Sequence, residues 1–175
     1  MPAPPLHTRA LTRAAFFHAR VGDAPALSAV LDGGVGTDAR NHRGETLLHV
    51  ACANRRTGAA RLLLARGADP ESRTALGFTP LTTSVMDADC RLVALLLDQG
   101  ADPNNAGPEG LTALMLAAIL DRVELVNLLL ERGASMEVAL ADGSTALSMA
   151  VGVGAQRAAQ LLLTVSSFRG ARRTA

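Results

Sequence analysis

The residues of this sequence that could do chemistry are few, and the most compact group is Asp87, Asp89 and Cys90. Two carboxylates beside a thiol could serve a hydrolase or a redox protein. Catalysis also needs a nucleophile paired with a base, and no such constellation accompanies these residues. The sequence contains no GxSxG elbow, P-loop or HExxH pattern. We therefore predict a non-enzyme, and a hydrolase or redox protein acting through Cys90, Asp87 and Asp89 stays open as an alternative.

Metal-ligating residue types are present without metal-ligand spacing. The four histidines share no such spacing with a cysteine or with a cluster of carboxylates. Cys52 and Cys90 cannot form a disulfide framework, which indicates free thiols in a reducing compartment and predicts a cytoplasmic protein. The stretch VGVGAQ at 151–156 resembles a phosphate-binding loop only superficially, because it follows a helical pattern and not a strand. We expect no metal, no cofactor and no small-molecule substrate.

Charge and hydropathy exclude further classes of function. The formal net charge is +1, and all seventeen basic residues are arginines. Bulk electrostatics therefore recruits neither nucleic acid nor an acidic membrane surface. No apolar run approaches the ~20 residues of a membrane span. The N-terminal residues lack the uninterrupted apolar stretch of a secretory signal.

The elements that would position these residues recur along the chain. Glycines stand at positions 44, 77, 110 and 143, at a constant interval of 33. Each is followed two positions later by a threonine and four positions later by a leucine, and each of the four units then carries a leucine triplet. These are Thr46, Thr79, Thr112 and Thr145; Leu48, Leu81, Leu114 and Leu147; and the triplets 62–64, 95–97, 128–130 and 161–163. A period of this length indicates a repeat architecture.

Each unit predicts two short helices. The threonine is a suitable N-cap, and Pro80 stands at the first helical position, where its missing N–H is harmless. The second helix is expected to carry the whole leucine triplet into the core. Gly67, Gly100 and Gly133 then suit a left-handed C-terminal cap. One such pair cannot bury its apolar face alone, so the units should stack.

The sequence resembles the ankyrin repeat family. The resemblance is carried by FTPL at 78–81, TLLHVA at 46–51 and LLLARGADP at 62–70. It extends over 11–175 as five units, 11–43, 44–76, 77–109, 110–142 and 143–175, with the first and last cap-like, and leaves 1–10 as a flexible N-terminal tail. It implies an all-α solenoid of stacked helix-turn-helix units whose β-turn fingers project sideways. It also implies that His49 braces neighbouring loops through hydrogen bonds.

The resemblance further implies a module that is monomeric alone and binds another protein on its concave face, as an adaptor, inhibitor or regulatory subunit. The positions that vary in such arrays flank the opening glycine and also lie nine and ten positions beyond it. The partner-binding residues predicted there are Arg43, Leu76, Phe78, Met86, Asp87, Leu111, Ile119, Leu120, Asp142 and Val153. The apolar members should form a strip for an apolar partner segment, or else pack partly against the fingers.

The predicted fingers also carry charge. The basic residues Arg40, Arg43 and Arg73 belong to the fingers nearer the N-terminus. The acidic residues Glu109, Glu137 and Asp142 belong to the fingers nearer the C-terminus. Such a separation could orient a charged partner, and it could equally be scattered solvated charge. A nucleic-acid binder that uses the arginine-rich fingers and the tail residues Arg172 and Arg173 is a second alternative, and steep salt dependence would be its mark.

Overall fold

The computed structural model describes the backbone of residues 6–173 and the side chains of residues 9–168. Within that range the protein is all-α, as predicted. Its helices are α1 Leu6–Val21, α2 Ala24–Asp32, α3 Leu47–Ala53, α4 Thr57–Ala65, α5 Pro80–Met86, α6 Cys90–Asp98, α7 Ala113–Ile119, α8 Val123–Glu131, α9 Ala146–Gly152 and α10 Gln156–Arg173. The described residues add a short 3-10 helix, Pro108–Gly110, and two isolated β-bridges, Arg40–Thr46 and Ala139–Thr145.

The chain divides into two compact units, Met1–Ala101 and Asp102–Ala175. In the first unit, α1 packs on α2 and on α3, and α3 packs on α4 and on α5. The second helices form a matching series, with α2 on α4 and α4 on α6. In the second unit, α7 packs on α8 and α9, and α10 packs on α7, α8 and α9. Successive helical pairs within each unit therefore share one core.

The caps of the first helices follow the predicted pattern. The hydroxyl oxygens of four threonines accept a hydrogen bond from the backbone N–H three positions later, at the N-termini of α3, α5, α7 and α9. These are Thr46, Thr79, Thr112 and Thr145. Pro80 occupies the first position of α5, as predicted. Each cap satisfies a backbone donor that the helix leaves unpaired, which stabilises the helix by about 1 kcal/mol.

The second helices end at left-handed glycines, also as predicted. Gly67, Gly100 and Gly133 have φ values of +82°, +91° and +90°. Only glycine adopts this conformation without a steric cost from Cβ. Helix α10 has Ser166 at the equivalent position and continues to Arg173. The chain therefore turns into a finger after α4, α6 and α8, whereas α10 continues as a helix through the equivalent position.

The leucine triplets enter the core less completely than the sequence predicted. The middle leucine of each triplet is fully buried, with 0 % exposure at Leu63, Leu96, Leu129 and Leu162. Most flanking leucines are only half-buried, and Leu163 is 49 % exposed. Successive side chains of an α-helix point in directions about 100° apart, so three in a row cannot all face the core. The expectation that whole triplets are buried was wrong for this geometric reason.

The N-terminal boundary also differs from the expected tail. Helix α1 begins at Leu6, so residues 6–10 are helical, where the sequence predicted a flexible tail over 1–10. The stretch LHTRALTRAA contains no glycine or proline and is rich in good helix formers, so the helix continues toward the N-terminus. Residues 1–5 lie outside the described residues, as do the side chains of Arg172 and Arg173.

Candidate partner-binding groove

The fingers of the first unit are tight turns closed by backbone hydrogen bonds. Asn41 N–H donates to the Glu45 carbonyl (3.0 Å), and Gly44 N–H donates to the Asn41 carbonyl (3.0 Å). The finger of the next repeat has the same closure, because Thr74 N–H donates to the Phe78 carbonyl over 2.9 Å. These two segments, 41–45 and 74–78, are called the first and second fingers below.

The two fingers are held against each other by contacts to their backbones. Ala75 N–H donates to the Arg43 carbonyl across 3.3 Å. The Arg40 guanidinium donates to the Gly44 carbonyl (2.6 Å) in the first finger and to the Arg73 carbonyl (2.5 Å) beside the second. Gly44 has φ +71°, and a Cβ at this position would lie 2.8 Å from the Ala75 backbone nitrogen. The close approach of the fingers therefore requires glycine here.

His49 connects the first helical turn of α3 to the second finger. Its Nε2 lies 2.9 Å from the Phe78 carbonyl oxygen, and its Nδ1 lies 2.8 Å from Thr46 Oγ1. The neutral imidazole that donates from Nε2 and accepts at Nδ1 satisfies both contacts. Burial lowers the pKa of His49 below its ordinary value, although the Phe78 carbonyl opposes the shift. The bracing role that the resemblance implied for His49 is therefore present between Thr46 and Phe78.

The lowered pKa of His49 predicts that the stability of the protein depends on pH. Because the folded-state pKa of His49 is depressed, stability is fully present above its ordinary value of 6.5 and is lost as pH falls through the folded-state pKa. We expect the urea midpoint of the parent to fall between about pH 7 and pH 5, above the range where most carboxylates titrate. At pH 7, the free energy of unfolding of His49→Gln should be about 1–3 kcal/mol lower than that of the parent, and its urea midpoint should be lower accordingly. Between pH 7 and pH 5, the urea midpoint of His49→Gln should change less with pH than that of the parent. Equal pH dependence of the two midpoints would contradict the assignment of this effect to His49.

A groove of about 610 Å³ lies between these fingers and α5. Its lining is formed by Arg43, Glu45, His49, Thr74, Ala75, Leu76, Phe78, Thr83, Met86 and Asp87. The apolar side chains are prominent, since Leu76 is 76 % exposed and Met86 is 49 % exposed. Phe78 is half-buried, as expected if it packs partly against a finger. Arg43 and Asp87 are both exposed.

Five of the ten predicted partner-binding residues thus line one groove in the first unit. The sequence missed Thr74 and Thr83, because they are neither apolar anchors nor charged. Thr83 belongs to α5, four positions after its N-cap threonine, and the spacing that places it on the groove-facing side of the helix was available as a signal.

The other five predicted residues belong to the second unit. Leu111 and Ile119 are half-buried there, whereas Leu120 is 41 % and Val153 58 % exposed. Asp142 is exposed, and its carboxylate accepts a hydrogen bond from Ser144 N–H over 2.9 Å. This bond lowers the pKa of Asp142 and fixes the local turn. Asp142 therefore has a structural role in its finger that the sequence did not predict.

Two of the arginines in or beside the fingers donate hydrogen bonds to backbone carbonyls. The guanidinium of Arg40 is bonded to two backbone carbonyls, as described above, and Arg73 donates to the Gly77 carbonyl over 3.2 Å. Arg43 differs, because its side chain is exposed on the groove. The nucleic-acid alternative assigned binding to the arginine-rich fingers, and two of these arginines, Arg40 and Arg73, donate hydrogen bonds to backbone carbonyls.

The Asp87, Asp89 and Cys90 group occupies the turn between α5 and α6. The Asp89 carboxylate caps α6 by accepting from the N–H groups of Arg91 and Leu92, each over 3.1 Å. The Asp89 side chain is partly buried. Both cysteines are free, as predicted, with Cys90 exposed and Cys52 buried. Burial raises the pKa of the Cys52 thiol to about 12, which leaves it protonated at neutral pH.

The described residues contain no group of three or more His, Cys, Asp or Glu side chains placed to hold a metal ion. No helix within 6–173 combines the length and apolar character needed to cross a bilayer.

Comparison with known proteins places the sequence in a repeat class. The family model described as ankyrin repeats (3 copies) matches residues 11–106 and 81–171. No curated protein matched the chain.

Proposed function

Because the chain belongs to the ankyrin repeat family, whose repeats are generally protein–protein interaction modules, we propose that it is a non-catalytic adaptor or regulatory subunit that binds a partner protein. The occupant of the groove is an apolar segment of that partner, presented as an amphipathic helix. The observation that carries the proposal is the groove of about 610 Å³ with Leu76 and Met86 exposed at its edge.

Exposure of these side chains supports the proposal on energetic grounds. Proteins rarely leave contiguous large apolar groups in water without a use for them. Leu76 and Met86 would each contribute about 1–2 kcal/mol if a partner covered them. Methionine suits this task, because its unbranched side chain adapts to the shape of the residue that it meets.

Charges beside the groove give the partner segment a direction. Arg43 belongs to the first finger, and Asp87 follows the last residue of α5, so the two charges flank the apolar side chains. A segment with an acidic residue toward Arg43 and a basic residue toward Asp87 would be oriented by both contacts. Exposed charges of this kind act mainly on association rate and specificity.

The second unit, taken by itself, carries the other predicted contacts. We propose Leu120 and Val153 as apolar partner contacts of this unit and Asp142 as a polar one, with Leu111 and Ile119 as partly buried support. Leu120 and Val153 stand at the same place in successive repeats, immediately after α7 and α9.

Selection from a displayed peptide library tests this function. Peptides that bind the parent should carry apolar residues at helical spacing, and their affinities can be measured by isothermal titration calorimetry. The Leu76→Ser, Met86→Ser double variant should weaken binding by about tenfold or more. Leu163→Ser, Phe168→Ser is the matched control, because those side chains are similarly exposed, at 49 % and 71 %, but lie on α10. Equal affinity of the groove variant and the control would refute the groove.

A further inference from the structure

A titratable side chain lies at the floor of the groove. His49 is one of the groove-lining residues, although it is only 1 % exposed. The equivalent residues of the next three repeats are Thr82, Met115 and Ser148, none of which titrates near neutral pH. His49 is therefore the one position in this series at which a proton can change the charge of the protein.

Protonation of His49 conflicts with the hydrogen bonds that hold it. In the neutral ring, Nε2 donates to the Phe78 carbonyl and Nδ1 accepts from the Thr46 backbone N–H over 3.3 Å. The imidazolium ring has two donors and no acceptor, so this N–H loses its partner. Thr46 Oγ1 lies 2.8 Å from Nδ1 and can accept from the new donor, but the buried backbone N–H stays unpaired. The groove is the open space that the charged ring adjoins.

The groups around His49 favour its neutral form. Burial lowers the pKa of His49 most strongly, the Phe78 carbonyl opposes this shift, and the charges of Arg40 and Glu45 act in opposite directions. Of the helices that pack on α3, α5 carries no charged residue, and the single arginine of α4, Arg61, is exposed. The other charged or titratable side chains described on the groove and on α1 are the exposed Arg43, Asp87, Arg9, Arg13 and Arg20 and the half-buried His18. A further loss of water at the groove must disfavour the charged ring still more.

We propose that a proton on His49 and an apolar partner segment in the groove oppose each other's binding, so that acidification releases the partner. This regulation rests on the proposed function of the groove. A segment that covers Leu76 and Met86 removes water from the groove, and an imidazolium ring in its floor would then lie against apolar groups without hydration. By linkage, the partner weakens proton binding by the same factor as the proton weakens partner binding.

Isothermal titration calorimetry with one defined probe tests this linkage. The probe is a helical peptide with blocked termini, selected on the parent at pH 7 from a library without Asp, Glu or His. The parent should bind it about fivefold or more weakly at pH 5 than at pH 7. In His49→Gln the two affinities should agree within about twofold, because most carboxylates titrate at lower pH. His42→Gln is the matched control, since His42 is exposed in the first finger and its replacement should leave the pH dependence of the parent unchanged.

NMR titration of the imidazole protons gives a second test on the parent itself, which does not depend on a variant. The His49 signal is identified by its through-space contacts with Thr46 and Phe78. Its titration midpoint should move to lower pH when the protein is saturated with the peptide. A midpoint that stays unchanged or rises overturns the proposal.

The outcomes distinguish the linkage from the groove on which it depends. If binding is equal at both pH values while the Leu76→Ser, Met86→Ser variant still weakens it, the linkage fails and the proposed function stands. If that double variant binds like the parent, the groove fails, and the linkage with it. Equal pH dependence in the parent and His49→Gln also overturns the linkage. Weaker binding at pH 5 that only His49→Gln removes supports it, with circular dichroism at both pH values to check that each protein is folded.

Discussion

The Leu96→Asp variant is expected to lose cooperative unfolding under conditions where the parent is fully folded. Leu96 lies in the middle of α6 with 0 % exposure, and α6 packs on both α4 and α5. The change removes about 2 kcal/mol of apolar transfer free energy and also buries a carboxylate without a partner. The combined cost, about 5 kcal/mol or more, approaches the whole stability of a typical domain. Urea and thermal unfolding followed by circular dichroism measure the effect.

The adjacent residue provides the control for this prediction. Leu97 has the same side chain in the same helix but is only half-buried, so an aspartate there can turn toward water. Leu97→Asp should cost about 1–2 kcal/mol and retain a cooperative transition. If Leu96→Asp melted like the parent, or like Leu97→Asp, the assignment of the middle leucine to the core would be wrong.

Local signals in the sequence were sufficient for the boundaries of most helices. The Thr79 cap, Pro80 at the first position of α5 and the left-handed Gly100 each depend on a few neighbouring residues, and all were predicted correctly. These local signals do not show how the helices pack together. The constant repeat period does, because it indicates that one type of helical pair recurs and that successive pairs stack on each other.

Properties that depend on residues distant in sequence could not be predicted in this way. Arg40 was assigned to a charged finger surface, but its guanidinium bonds the Arg73 carbonyl beside the next finger, 33 residues away. For Phe78 the sequence left two alternatives open, an exposed strip or partial packing against a finger, and its half-burial agrees with the second. The pattern of one repeat identifies such positions, but their burial depends on the side chains that the adjacent elements bring to them.

The finger before α7 has the same closing hydrogen bond as the other fingers but a different backbone conformation. Here Gly107 N–H donates to the Leu111 carbonyl over 2.7 Å, which is the same closure as in the other fingers. Residues Pro108–Gly110 form a short 3-10 turn, and Glu109 adopts φ +56°. A left-handed glutamate is unusual, and nothing in the residue type at 109 indicates it. The closing hydrogen bond is thus retained in this finger although the backbone conformation inside the turn differs from that of the other fingers.

The second large effect is expected at Gly44, where alanine should destabilise the first unit by about 3 kcal/mol. Two costs combine at this position. The backbone has φ +71°, which is unfavourable for any residue with a Cβ, and that Cβ would lie 2.8 Å from the Ala75 backbone nitrogen. Because the contact is with backbone, a side-chain rotation cannot relieve it. The fingers must therefore separate, which weakens the hydrogen bond from Ala75 N–H to the Arg43 carbonyl.

Gly58→Ala supplies a control of opposite sign, because the same substitution there meets open space. Gly58 lies in α4, has no positive φ, and has no neighbouring atom within 4 Å of the place that a Cβ would take. Alanine at this helical site should stabilise the protein by about 0.5–1 kcal/mol. Urea unfolding of both variants compares them directly. Gly44→Ala should also weaken peptide binding in the groove, since Arg43 and Ala75 both line it. A Gly44→Ala protein as stable as Gly58→Ala would show that the two fingers do not require their close approach.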